Sequence, residues 1–156
     1  MLQTWRLTTA KFAAAAFSGE GARRYGGRWN PKGIPIVYTA GSLSLALLEL
    51  MVQDQPLRAS YVAFACEISE EVKVARIDAG RLPPDWRRAS GIGACQKLGA
   101  EWFSSGRTAL LAVPSAVIPH ETNYLLNPGH PDFARLAIGA MQAIETDSRL
   151  LARRTP

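Results

Sequence analysis

The chain has 156 residues, of which 47% are hydrophobic and 20% are charged. This length fits one domain, and the apolar share is large enough for a hydrophobic core, so the composition excludes a disordered chain. Lysine and arginine exceed aspartate and glutamate by 18 − 13 = 5, an excess compatible with nucleic acid, an anionic small molecule or an acidic partner.

The first third of the chain alternates between short strands and helix-forming runs. Alternating apolar and polar residues over 2–7 predict a strand, after which Thr8 or Thr9 is placed to cap a short helix through the alanines. Residues 18–33 hold five of the 13 glycines and predict an ordered loop. A buried strand is predicted over 34–39. Ser42 then caps a helix over 43–53, where apolar residues recur at helical spacing.

The remainder is also built from short elements. Strands are predicted over 61–68, 72–77, 109–113 and 123–126, and a helix over 92–103. By pattern alone, residues 135–145 fit either a helix or a strand. Short strands with unevenly inserted helices predict an α+β fold in a single domain over 1–156, and the alternation is too irregular for a doubly wound sheet.

Neither the N-terminus nor the cysteines indicate export. The first residues lack a basic region followed by an apolar run, and no stretch approaches the roughly 20 apolar residues of a membrane span. Cys66 and Cys95 form neither a metal-type pair nor a disulfide framework. We therefore expect a cytoplasmic protein with free thiols and no membrane association.

A glycine-rich segment over 26–33 carries the first candidate site residue, Arg28. The segment matches neither a Walker loop nor a dinucleotide fingerprint, since Lys32 is followed by Gly33 and no G-x-G-x-x-G opens a helix. An arginine on such a tight backbone is able to grip a phosphate or pyrophosphate at two points. A solvated arginine in a surface turn fits the same spacing.

Glu49 and Ser115 are two further candidate site residues, and spacing alone does not decide whether either has a functional role. Glu49 interrupts an apolar helical run, so it lies either on the solvent face or in a site, because an unpaired buried carboxylate is costly. Ser115 follows an apolar strand but lacks the G-x-S-x-G context of a nucleophile. His120 and His130 do not complete a zinc motif, and we expect no metal.

Several segments, taken in order, resemble the RES domain, the toxin of RES–Xre toxin–antitoxin pairs. They are Thr4-Trp5-Arg6-Leu7; Gly19-Glu20-Gly21-Ala22 through Gly26-Gly27-Arg28-Trp29-Asn30-Pro31 with Gly33; Val37-Tyr38-Thr39-Ala40; Leu45 to Glu49; Val113-Pro114-Ser115; and Asn123 to Pro128 with His130-Pro131-Asp132-Phe133. The family's closing Asp-Pro-Arg-Leu is replaced here by Asp147-Ser148-Arg149-Leu150.

The resemblance implies an ADP-ribosyltransferase-like fold: a split, curved β-sheet with peripheral helices and a cleft for NAD⁺. It also implies a toxin that depletes NAD⁺ without a metal, a neutralising Xre-type helix-turn-helix antitoxin and a possible homodimer. No direct nucleic-acid binding is expected from this chain. The resemblance favours strand over helix for 135–145.

Site roles follow from placing the family's Arg, Glu and Ser on Arg28, Glu49 and Ser115. Glu49 would stabilise the ribose cation that forms as nicotinamide leaves. Arg28 would hold the pyrophosphate or the adjacent ribose-phosphate, Ser115 would position Glu49 or the substrate, and Tyr38 would stack on nicotinamide or line its pocket. Asn123 is a supporting candidate.

Three other functions remain open from the sequence. An ADP-ribosyltransferase that modifies a cellular protein would use the same residues. A basic nucleic-acid-binding module would use the arginines and aromatic residues near the glycine-rich segment. A catalytically inactive interaction domain is a weaker alternative, since Arg28, Glu49 and Ser115 are all present.

Overall fold

A computed structural model of the chain describes residues 1–53 and 60–150. The strands are β1 (Leu2–Thr9), β2 (Val37–Ala40), β3 (Tyr61–Ile68), β4 (Val74–Arg76), β5 (Leu110–Pro114), β6 (Thr122–Leu126), β7 (Ala137–Ile138) and β8 (Gln142–Ile144). The α-helices are α1 (Glu20–Tyr25), α2 (Leu43–Met51) and α3 (Ile92–Ser105). None of the helices in these two ranges is long and apolar enough to cross a membrane.

The strands form one mixed sheet in the order β4-β5-β6-β2-β1-β3-β7, and β8 also pairs with β3. Only β4 and β5 run parallel; the other strand pairs are antiparallel. The sheet curls into a half-barrel with few helices around it, which confirms the α+β prediction. Two short strands, β7 and β8, lie within 135–145, as the resemblance favoured.

Three elements differ from the sequence prediction in their bounds or type: β2, the alanine segment and α1. β2 starts at Val37 instead of residue 34, and Pro35, which has no N–H for a ladder bond, precedes it. The alanine segment is a 3-10 helix over Ala10–Ala15, and its N-cap, Thr9, makes no side-chain capping bond. The predicted loop over 18–33 contains α1, which Glu20 stabilises through ion pairs with Arg23 and Arg24 one turn on.

Helix α2 is fixed on the sheet by its apolar face. Ser42 caps it as predicted, its hydroxyl accepting a hydrogen bond from the amide of Leu45 at 3.1 Å. Leu45 and Ala46 are buried against Leu7 and other core residues of β1, β2 and β3. Packing this face against the sheet leaves the half-buried Glu49 to face a cleft rather than the core.

The glycine-rich segment packs against the part of the core that contains Trp86 and Trp102. Trp29 is buried with Trp86 and Trp102, and the Trp29 and Trp86 rings are 6.2 Å apart between centroids. Gly99 of α3 lies so close that a Cβ there would be 1.7 Å from the Trp29 carbonyl oxygen, so only glycine allows this approach. The segment carrying Arg28 is therefore ordered by packing, as the sequence predicted.

Candidate active site

Glu49 lines a cleft with a volume of about 750 Å³. The walls come from β1, the end of the 3-10 helix, α1, the glycine-rich segment, β2, α2, β6, the residues after β5, and Arg87 and Ile92. This volume lies within the range of about 300–1,000 Å³ typical of small-molecule sites. All five candidate residues from the sequence contribute to this region: Arg28, Tyr38, Glu49 and Asn123 line the cleft, and Ser115 lies directly behind Glu49.

One oxygen of Glu49 is held by two side chains that are distant in sequence. The Ser115 hydroxyl donates to Glu49 Oε1 at 2.7 Å, and Asn123 Nδ2 donates to the same oxygen at 2.5 Å. Within residues 1–53 and 60–150, Oε2 has no hydrogen-bond partner. The carboxylate is thus oriented through one oxygen and has the other available to a ligand.

Ser115 is hydrogen-bonded to Glu49 and is enclosed too completely to attack a substrate. Its side chain has no exposed surface. The hydroxyl oxygen accepts from the amides of Val117 at 3.1 Å and Ile118 at 3.0 Å, while its hydrogen goes to Glu49. This two-sided bonding fixes the hydroxyl rotamer and with it the direction of the donated hydrogen.

Tyr38 anchors the glycine-rich segment by its hydroxyl and lines the cleft with its ring. The hydroxyl donates to Asn30 Oδ1 at 2.6 Å and accepts from the Trp29 amide at 3.1 Å. Burial raises the pKa of Tyr38 far above its usual value. A Cβ on Gly27 would lie 2.6 Å from this hydroxyl oxygen, so glycine is needed there. Only the ring remains for a ligand.

Arg28 uses much of its guanidinium on backbone carbonyls. Nη1 donates to the carbonyls of Trp86 at 2.5 Å and Arg88 at 3.4 Å, and Nη2 donates to that of Arg87 at 3.1 Å. Since a guanidinium has five N–H groups, at most two remain for a ligand. Arg28 therefore connects the glycine-rich segment to residues 86–88 in addition to facing the cleft.

Sequence reasoning missed Arg6, a second arginine on the cleft wall. Nε donates to the Ala16 carbonyl at 3.0 Å and Nη1 donates to the Tyr38 carbonyl at 3.2 Å. Desolvation lowers the pKa of Arg6 to about 10, and no carboxylate in the described part of the chain pairs with it. The available signal was the one charged residue of β1, which stands between the apolar Trp5 and Leu7.

The charges around the cleft are mostly positive. Arg6, Arg28 and Arg87 line it, against the carboxylates of Glu20 and Glu49. Glu20 is already engaged by two arginines of its own helix, which lower its pKa to about 2. Among the described residues, histidine, cysteine, aspartate and glutamate form no group of three or more that would hold a metal. The cleft thus offers cations for an anionic ligand and one oriented carboxylate.

The chain belongs to a known protein family. The RES domain family matches residues 3–147, so the chain is a member of the RES-domain family. Toxin Res of Photorhabdus laumondii is 38% identical over 151 residues, covering 94% of this chain and 96% of the relative. Prs ADP-ribosylating toxin of a Sphingobium species is 41% identical over 136 residues, covering 82% and 83%.

A third relative has a related solved structure. NAD(+) phosphorylase MbcT of Mycobacterium tuberculosis is 30% identical over 122 residues, covering 64% of this chain and 63% of the relative. A chain in the crystal structure of the M. tuberculosis MbcT–MbcA toxin–antitoxin complex superposes with a TM-score of 0.76. The superposition covers 91% of this chain and 83% of the chain in the complex, at 22% sequence identity. At this level of identity, the comparison shows a similar fold.

Proposed function

We propose that this RES-domain protein is the toxin of a toxin–antitoxin pair and that it cleaves the nicotinamide–ribose bond of NAD⁺. The observation that carries the proposal is the Glu49 carboxylate, held through Oε1 by Ser115 and Asn123 with Oε2 unbonded, at one end of a cleft lined by arginines. The names of its relatives, a NAD(+) phosphorylase and an ADP-ribosylating toxin among them, support the same substrate.

The chemistry needs one carboxylate beside the ribose. As the glycosidic C–N bond breaks, its electron pair goes to the pyridinium nitrogen, and nicotinamide leaves as a neutral molecule. Positive charge then develops on the ribose, in a transition state like that of glycoside cleavage. Glu49 Oε2 would stabilise that charge and accept a hydrogen bond from the ribose 2′-hydroxyl. Water completes hydrolysis to ADP-ribose with release of one proton, whereas phosphate gives the 1″-phosphate of ADP-ribose.

The pyrophosphate would lie along the arginine wall. Arg6 has N–H groups beyond the two that bond to carbonyls, and Arg28 has at most two. A dianionic pyrophosphate supplies the counter-charge that the desolvated Arg6 lacks. The Tyr38 ring is an aromatic surface of the cleft that could stack with nicotinamide, while its hydroxyl is engaged by the glycine-rich segment.

A second candidate reaction differs only in the acceptor. Transfer of ADP-ribose to a side chain of a cellular protein would use the same carboxylate and the same cleft, and the relative named Prs ADP-ribosylating toxin favours it. No metal is required in either reaction. We further propose an Xre-type helix-turn-helix antitoxin as the partner, a homodimer as the assembly and the cytoplasm as the location of the reaction.

The deciding experiment measures NAD⁺ loss by purified, antitoxin-free protein and identifies products by mass spectrometry. Reactions contain buffer alone, added phosphate, or cell extract with labelled NAD⁺. Glu49→Gln keeps the shape of the side chain and removes its charge, so we expect turnover to fall on the order of 10²–10³-fold. Glu20→Gln is the matched control because it neutralises the other carboxylate of the cleft wall.

The outcomes separate the alternatives. Free nicotinamide from the wild type and Glu20→Gln, but not from Glu49→Gln, supports the proposal, and the second product identifies the acceptor. If folded wild-type protein leaves NAD⁺ intact under all three conditions, the proposed function is wrong. Salt-dependent nucleic-acid binding in that sample would then favour the binding module.

A further inference from the structure

The turn over residues 86–88 lies between the glycine-rich segment and the residues after β5. Trp86 is buried in the core, and the turn is closed by backbone bonds, including Arg88 N to the Asp85 carbonyl at 2.8 Å. Ser90 Oγ also donates to Asp85 Oδ2 at 2.6 Å. A Cβ on Gly91 would lie 2.4 Å from the Asp85 carbonyl oxygen, so glycine is required there. These contacts make the turn a fixed support.

Arg87 extends from this turn toward the segment that carries Ser115. Its Nε donates to the carbonyl of Ala116 at 2.8 Å, and its Nη2 donates to that of Val117 at 3.4 Å. Its own carbonyl accepts from Arg28 at 3.1 Å. One residue thus receives a bond from the glycine-rich segment and donates bonds to the segment after β5.

The segment bound by Arg87 is the one that orients Ser115. The amides of Val117 and Ile118 donate to Ser115 Oγ, and Ser115 donates to Glu49. Hydrogen bonds therefore run from Arg87 through the 116–118 backbone to the carboxylate. Arg87 itself is exposed apart from these contacts, so its removal would leave the apolar core intact.

We propose that Arg87 is a positioning residue that holds the 116–118 segment so that Ser115 is aimed at Glu49. Two carbonyl contacts from one planar guanidinium fix both the distance and the tilt of this segment, which one contact would not do. The consequence for catalysis rests on the proposed function, whereas the consequence for backbone order does not.

The first arm of the test measures backbone order by amide hydrogen exchange. In Arg87→Ala, we expect the Val117 and Ile118 amides to exchange faster by on the order of tenfold, because the backbone that carries them is no longer held against Ser115. Arg88→Ala is the matched control: it removes the neighbouring exposed arginine side chain and keeps the carbonyl that Arg28 contacts. Unchanged exchange in Arg87→Ala would overturn the proposal whatever the activity.

The second arm measures steady-state NAD⁺ turnover. Because positioning acts on the chemical step, Arg87→Ala should lower kcat about 10- to 100-fold with little change in KM. Arg87→Lys, which restores the charge and one donor group, should recover part of kcat, and Arg88→Ala should match the wild type. A rise in KM at constant kcat would instead mean that Arg87 binds the anionic substrate directly, which would overturn the positioning role.

The two arms fail separately. If the wild type does not consume NAD⁺, the proposed function fails while hydrogen exchange still decides the role of Arg87. A thermal melt of each variant accompanies both arms. If Arg87→Ala melts well below the wild type, the test rests on Arg87→Lys instead. Wild-type exchange rates at Val117 and Ile118 together with a wild-type kcat in Arg87→Lys would show that two contacts from a guanidinium are not needed, and would overturn the proposal.

Discussion

Asn123→Asp replaces the group that donates to Glu49 by one that repels it. The side chain keeps its shape, but the Nδ2–Oε1 contact at 2.5 Å becomes a contact between two carboxylate oxygens. At that distance and an effective dielectric constant of about 20, two unit charges repel by about 7 kcal/mol. Solvent in the cleft and side-chain rotation reduce this, yet about 2 kcal/mol would still correspond to roughly a 30-fold effect.

Relief comes from rotation away or from sharing one proton between the two carboxyl groups. Rotation removes the orientation of Glu49, and a shared proton divides the remaining negative charge between the two carboxyl groups, so NAD⁺ turnover at neutral pH should fall about 30-fold. Asn123→Ala, which deletes one donor and adds no charge, should lose less. The expected order of kcat is therefore wild type, then Asn123→Ala, then Asn123→Asp.

The control is Asn127→Asp, the same chemical change just beyond β6. Its Oδ1 accepts from the Gly129 amide at 2.9 Å, a role that a carboxylate retains. We expect near-wild-type turnover from this variant, with folding of all variants verified by circular dichroism. Near-wild-type turnover in folded Asn123→Asp would refute the role assigned to the contact between Asn123 and Glu49.

Three further predictions test the surroundings of the carboxylate. Ser115→Ala should lose turnover and about 2 kcal/mol of unfolding free energy in urea, because two buried amides lose their acceptor; unchanged stability would contradict this. Arg6→Lys should raise the KM for NAD⁺ and the inhibition constant of ADP-ribose about tenfold while sparing kcat, because the fork of donors is lost; unaltered affinity for both would remove Arg6 from the ligand site. Burial raises the pKa of Cys66 from 9.0 to about 11, so the thiol ionises first in the unfolded chain and stability should decline as pH rises through that interval; thermal melts should show a smaller decline in Cys66→Ala, and equal slopes would refute this.

Local patterns in the sequence were enough for most elements. Alternation predicts β1, and the helical spacing after Ser42 predicts α2, because one face of each packs on the core. The strand predicted over 61–68 is also present as β3, and it is buried on both faces. The helix α1 was missed because glycines at 19 and 21 suggested a loop. The pairing of Glu20 with arginines three and four positions later was the signal available for it.

The chemistry of the site was only partly accessible from sequence. Arg28, Glu49 and Ser115 were found through a family resemblance, and their spacing left a surface arginine and an exposed glutamate equally possible. Glu49 and Ser115 are separated by 66 positions, so their hydrogen bond depends on how α2 and the end of β5 pack around the sheet. No local pattern encodes a contact of that range.

The destination of each hydrogen bond distinguishes residues that build the cleft from those that face a ligand. Tyr38 and Ser115 direct their hydroxyl groups at protein atoms, and Arg28 directs most of its donors at carbonyls. Within the described ranges, Arg6 has N–H groups that make no hydrogen bond, and Glu49 has a carboxylate oxygen without a partner. A desolvated cation and a half-bonded carboxylate are costly unless a ligand completes them. We therefore expect substitutions of Arg6 to act mainly on substrate affinity, and those of Ser115 mainly on the rate of the bond-breaking step.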